Sequence, residues 1–145
     1  MTTATTNKTN AEVMYGNFTN VAGATITTGY AVAYTTAAAS VNGNNAVLPA
    51  ISSNTTFAGI CDSDVPDTQT GRFIAYGYAA SVFIFDAGSA VTTNVGDAVG
   101  PGVANSLGVN STGLVDILGP VIALETVASG VNNGGGYIRG LVKAM

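Results

Sequence analysis

The sequence predicts an all-β fold, a small β-barrel or β-tulip-like domain with an extended N-terminal arm. Three observations lead there. No stretch carries the three-to-four spacing of an amphipathic helix, and glycine interrupts nearly every candidate. Short apolar or alternating runs follow one another closely. Gly, Asp, Asn and Pro separate them in the manner of tight turns. The 145 residues suit one domain, assigned to 12–145 behind a flexible arm at 1–11.

The arm is polar and without period. Beyond it, Tyr30-Ala31-Val32-Ala33-Tyr34 alternates, placing Tyr30, Val32 and Tyr34 on one face. Asn42-Gly43 is a tight-turn signal. Thr56 to Cys61 is a short apolar strand, and Asp62 to Asp67 is dense in turn residues. Arg72 to Ala80 and Ser81 to Phe85 are strongly β-prone. They form one bent strand or two, with Gly77 or the Ala79-Ala80 pair at the bend. A turn at Asp86 to Ser89 follows, then one at Asn94 to Asp97. The strand Ala98 to Gly100 is expected to close at Pro101-Gly102. Further strands are read at Gly113 to Gly119 and Pro120 to Thr126. A glycine-rich loop at Asn132 to Gly136 leads to a last strand, Tyr137 to Lys143. In that strand Arg139 and Lys143 face away from Ile138 and Val142, the pattern of a half-buried strand.

Composition narrows the function. Hydrophobic residues make up 47% of the chain, enough for a core, while charged residues make up only 8%. That is about a third of the usual share, so Thr, Asn, Ser and backbone groups must supply the polar surface. Val13 to Cys61 contains no charged residue. The net charge is -4, with Lys8, Arg72, Arg139 and Lys143 the only cations. Four scattered cations make no phosphate-binding patch, which argues against nucleic acid and against a polybasic membrane anchor. No continuous apolar run is long enough for a membrane span, and the N-terminus has no apolar segment of the secretory kind.

The inventory for catalysis is thin: eight carboxylates, four cations, six tyrosines, one thiol and no histidine. General acid–base chemistry needs titratable groups brought together, and nothing in the spacing gathers them. Asp86 and Asp116 could pair as glycosidase carboxylates do, but nothing selects them. Asp62, Asp64 and Asp67 share the Asp-x-Asp spacing of a calcium loop but lack its glycine and closing glutamate. A solvated hairpin turn, in which Asp bonds nearby backbone amides, is the preferred reading. With no histidine and one cysteine a zinc site is excluded, and no cofactor is expected. The glycine-rich loop at 132–136 has no lysine and opens no helix, so it cradles no phosphate. Cys61 reads as a small buried hydrophobe. A non-enzymatic, self-associating structural protein is the reading that remains.

The order of short motifs in the C-terminal two-thirds resembles the capsid decoration, or cement, proteins of tailed bacteriophages. The motifs are Phe57-Ala58-Gly59-Ile60-Cys61, then Gly77 to Val82, then Val95-Gly96-Asp97-Ala98-Val99. Leu118 to Glu125 and Tyr137 to Val142 complete the series, across about residues 55–145. Pro120 and the long uncharged N-terminal part depart from the family's pattern. The resemblance implies homotrimers on the outside of an icosahedral head, bound to the major capsid protein and stabilising the shell. It implies no catalytic residues. The arm, with Thr2, Thr3, Thr5, Thr6, Asn7 and Lys8, would be the part that latches onto the capsid. The alternative is a virion-surface module that recognises a host glycan, for which Tyr76 and Tyr78 are the natural stacking residues.

Overall fold

The structure, a computed structural model, describes residues 12–37, 43–49, 56–84, 92–103, 106–108, 120–126 and 136–144. Every named element is a strand, and no α-helix occurs among the described residues. The strands are β1 (Met14–Asn20), β2 (Ala31–Tyr34), β3 (Asn45–Val47), β4 (Phe57–Cys61), β5 (Thr70–Ile84), β6 (Ala98–Val103), β7 (Ser106–Gly108), β8 (Val121–Ala123) and β9 (Gly136–Lys143).

All nine belong to one mixed sheet, ordered β1-β3-β2-β4-β5-β7-β6-β8-β9. Two further pairings, β1 with β5 and β5 with β9, close this sheet on itself twice. The result is two five-stranded rings that share β5. Its first half, Thr70 to Tyr76, pairs with β1; its second, Tyr76 to Ile84, pairs with β9. The 15-residue β5 is therefore one continuous strand with a joint, as the β-prone run from Arg72 to Phe85 allowed. Gly77 marks the joint, with φ of 106°. A Cβ there would strike the backbone of Glu12 and Val13, which cross it on their way into β1. A second irregularity lies between Ala79 and Val82.

Each ring has its own core. Phe18, Ile26, Val32, Ala46, Ala58, Cys61, Val65 and Phe73 fill the first. Ala79, Val82, Ile84, Val99, Val121, Ala123, Ile138 and Val142 fill the second. Ala31, Phe57, Ile60 and Ile74 join that second cluster. β4 therefore contributes to both cores, Phe57 and Ile60 to one and Ala58 and Cys61 to the other. It is buried along its whole length, with Gly59 at the register shift that resets its alternation against β2. Burying Ile60 and Phe57 this way contributes about 2 kcal/mol each.

Several elements differ from the sequence reading. β1 was not anticipated, because Met14-Tyr15-Gly16-Asn17-Phe18 lacks a clean alternation; its outer half is exposed and only Phe18 and Asn20 are buried. β3 and β7 are short and are defined by their neighbours rather than by composition. β6 runs through Pro101 to Val103; a register shift beside the proline accommodates its missing N–H. The second half of the Pro120 to Thr126 segment is bend rather than strand. The strand read at 113–119 and the turn at 86–89 lie outside the described residues.

A cross-link between two loops completes the first ring. Ile26 and Val65 form an isolated bridge, with bonds of 2.9 Å in both directions. Asn20, fully buried, donates its amide to the carbonyls of Ala24 and Val65, both at 2.8 Å, and accepts the Ala22 N–H at 2.8 Å. One side chain thus uses both amide hydrogens and its oxygen to hold the turn after β1 against the turn after β4.

Candidate interaction surfaces

Among the described residues, Asp62, Asp64, Asp67, Asp97 and Glu125 are tied into the loops by hydrogen bonds. Asp64 accepts the N–H and the hydroxyl of Thr28 through Oδ1, at 2.7 and 2.8 Å. These bonds hold its carboxyl below the usual range. Asp67 accepts the Gly23 N–H at 2.9 Å, and Asp97 accepts the Asn94 N–H at 2.7 Å. Asp62 receives Arg72 through Nε at 3.2 Å and through a second guanidinium nitrogen. Glu125 takes the Arg139 N–H at 2.9 Å and its Nε at 2.7 Å, which keeps its carboxyl low as well. The Asp62–Asp64–Asp67 cluster thus closes turns, the bland reading of its spacing. Two of its members reach the loop between β1 and β2 rather than local amides. Among the described residues no three acidic or thiol groups gather as a metal ion would require. Asp86, Asp116 and the arm residues Thr2, Thr3, Thr5, Thr6, Asn7 and Lys8 lie outside the described residues.

Cys61 is buried in the first core, and its Sγ–H points to the Ser63 carbonyl at 2.9 Å. Burial pushes its thiol up to about 11, against a small opposing effect of that hydrogen bond. A thiol so protonated is a poor nucleophile.

What the molecule offers to partners is aromatic and apolar surface. One exposed row crosses three strands: Met14 on β1, Tyr76 on β5 and Lys143 on β9 are register partners. Tyr78 lies two residues along, opposite Leu141, on the same face. Arg139 beside it is paired with Glu125, and Tyr78 adds to the stabilisation of its charge. Tyr76 and Tyr78 are thus brought onto one face, as expected of a two-residue spacing. At the other end of this wall the Arg72 guanidinium lies 4.4 Å from the centre of the Tyr15 ring. A shallow apolar cleft of about 250 Å³ opens between Gly16, Tyr34, Phe57, Phe73, Ala75 and Ala144.

A second aromatic group was not legible in the sequence. Tyr30, Phe83 and Tyr137 come from three distant segments and pack ring against ring in a tilted series, with centroids 4.8 and 5.2 Å apart. The Phe83 N–H bonds the Gly29 carbonyl at 2.8 Å, which docks the turn before β2 onto the end of β5. No local pattern marks these residues, since their contact depends on how the two rings meet.

The same double-ring organisation allows comparison with known folds. No family model and no curated protein matches the sequence. The fold is similar to that of a bacteriophage head-fibre base. That structure, the head fiber gp8.5 N base of bacteriophage phi29, superposes with a TM-score of 0.53. The likeness covers 90% of this chain and 95% of that one at 15% identity. At this identity the likeness is one of architecture. Among the described residues no helix is long and apolar enough to cross a membrane.

Proposed function

We propose that this protein is a structural component of a bacteriophage head, seated on the outside of the icosahedral shell as a decoration protein. In this reading it binds the major capsid protein, bridges neighbouring capsid subunits and stabilises the shell, and it acts without catalysis. The observation that carries the proposal is the shared fold with a phage head-fibre base across nearly all of both chains. The chemistry of the chain supports it. Among the described residues, Asp64, Asp67 and Asp97 are engaged in closing loops and the thiol is buried, whereas large aromatics remain on the surface. A surface with few charges binds through shape, stacking and hydrogen bonds, and weakly in response to salt.

A homotrimer follows from the same reading, and the exposed Met14, Tyr76 and Tyr15 surface is available for contacts between copies. The arm, with Thr2, Thr3, Thr5, Thr6, Asn7 and Lys8, would order on the capsid and lengthen the contact. Binding the assembled shell alone would stabilise it by mass action.

The test is to add the purified protein to undecorated heads of its phage and to measure co-sedimentation and the position of bound density by electron cryomicroscopy. Saturable binding at one symmetry position on the outer surface, with an increase in the temperature of shell disruption, is the expected result. Absence of binding at micromolar concentration would refute the proposal. Removing residues 1–11 should lower occupancy while leaving the melting temperature of the free protein unchanged.

A further inference from the structure

We propose that Tyr30, Phe83, Tyr137 and Asp64 form a binding site for neutral carbohydrate. The site is independent of the shell reading and differs from the Tyr76 and Tyr78 pair that the sequence suggested. Its floor is the run of ring contacts Tyr30–Phe83–Tyr137, with neighbouring rings inclined by 32° and 59°. Tyr137 leaves 53% of itself in water, so its ring is open to a ligand. Sugar rings present a face of C–H groups that lies on such a surface, and the flanking hydroxyls then need directional polar partners.

Those partners are present and held in place. The Oδ1 atom of Asp64 is fixed by two bonds from Thr28, and its Oδ2 takes no bond among the described residues. Burial raises the Tyr137 hydroxyl above its ordinary range, and the neighbouring Asp64 carboxylate adds to that. Asp64 is bonded to Thr28, the residue before Gly29 on which the Tyr137 ring rests, and Tyr30 follows directly, so the carboxylate and both tyrosines are gathered at this one turn. The floor is equally fixed. Gly29, at φ of 84°, lets the Tyr137 ring rest on the turn, where a Cβ would lie 2.9 Å from its Cε1. A platform ordered before binding loses little conformational entropy when a ligand arrives.

Charge selects the class of sugar. The rim carries a carboxylate, and the described cations are engaged elsewhere: Arg72 on Asp62, Arg139 on Glu125, and Lys143 at the Tyr76 end of β9. Uronic acids and phosphate-bearing polymers would meet repulsion, whereas neutral hexoses or N-acetylhexosamines would not. The Tyr76 and Tyr78 face lacks this arrangement. Its aromatics alternate with Arg139 and Lys143 across the strands, and Arg139 interacts with Tyr78.

The experiment titrates the intact protein with maltotetraose, cellotetraose, tetra-N-acetylchitotetraose and tetragalacturonate, followed by tyrosine-resolved NMR. At least one neutral oligomer should bind saturably with shifts centred on Tyr30 and Tyr137, and tetragalacturonate should not. Tyr137→Ala and Asp64→Asn should each weaken that binding roughly tenfold, about 1.4 kcal/mol. Asparagine keeps the Oδ1 acceptor for Thr28, so this variant retains the turn. Tyr76→Ala and Tyr78→Ala should leave affinity unchanged. The proposal is overturned if no neutral oligomer binds up to about 10 mM. It is equally overturned if binding survives Tyr137→Ala or prefers the acidic oligomer. Shell binding in the co-sedimentation assay is read separately, so failure here leaves the decoration reading intact.

Discussion

Asn20 is the single side chain on which the first ring depends most. It is fully buried and makes three hydrogen bonds of 2.8 Å. At about 1 kcal/mol per buried bond, Asn20→Ala should cost about 3 kcal/mol. Asn20→Asp is the sharper perturbation. Aspartate keeps the acceptor for the Ala22 N–H but replaces the donor that faces the Ala24 and Val65 carbonyls. Protonated, it restores one of those two bonds and loses about 1 kcal/mol. Ionised, it aims negative charge at two carbonyl oxygens inside the protein. An upward shift of about 3 pKa units is typical of such a site and adds about 4 kcal/mol at neutral pH.

The pH dependence has a definite sign. The folded-state pKa of this aspartate lies above its unfolded value near about 3.9. Its favourable state is therefore complete below about pH 4 and is lost as pH rises through the folded pKa, near about 7. The variant should melt close to wild type at about pH 4. At pH 7 it should melt about 15 °C lower, at roughly 3 °C per kcal/mol for a chain of 145 residues. Thermal melts of wild type, Asn20→Ala and Asn20→Asp between pH 4 and 7 measure this directly. A penalty for Asn20→Asp that does not change with pH would refute the reasoning. So would an Asn20→Asp protein more stable at pH 7 than Asn20→Ala.

Other consequences follow from single features of the fold. Thr68 sits at φ of 65°, unusual for a β-branched residue, so Thr68→Asn should stabilise by about 0.5–1 kcal/mol in chemical denaturation. A Cβ at Gly16 would fall on the buried Phe73 ring; Gly16→Ala should cost about 1–3 kcal/mol, and adding Phe73→Leu should recover part of that loss. The Cys61 thiol titrates near 11 in the fold against 9.0 when unperturbed. The stability it contributes is complete below pH 9 and is lost toward pH 11, by about 2–3 kcal/mol; Cys61→Ala should remove this alkaline loss. In the wild-type protein, iodoacetamide at pH 8 should label Cys61 only after unfolding, as mass spectrometry would show.

The sequence by itself determined the class of structure. Close-spaced β-prone runs, turn residues between them and the absence of helical period are local properties, and each survives in the fold at Ala31–Tyr34, Phe57–Cys61, Thr70–Ile84 and Gly136–Lys143. The alternation of Arg139 and Lys143 against Ile138 and Val142 was readable for the same reason. Only the tertiary structure decided that the sheet closes twice around β5, because closure depends on pairings between residues such as Met14 and Tyr76 that no local pattern connects. Closure also accounts for part of the uncharged stretch from Val13 to Cys61. β4 is buried on both faces and β2 over three of its four residues. A charge there would lose its water without gaining a partner. The aromatic stack of Tyr30, Phe83 and Tyr137 and the buried bonds of Asn20 belong to the same category. They exist where segments far apart in the chain meet, and that meeting is set by packing rather than by sequence pattern.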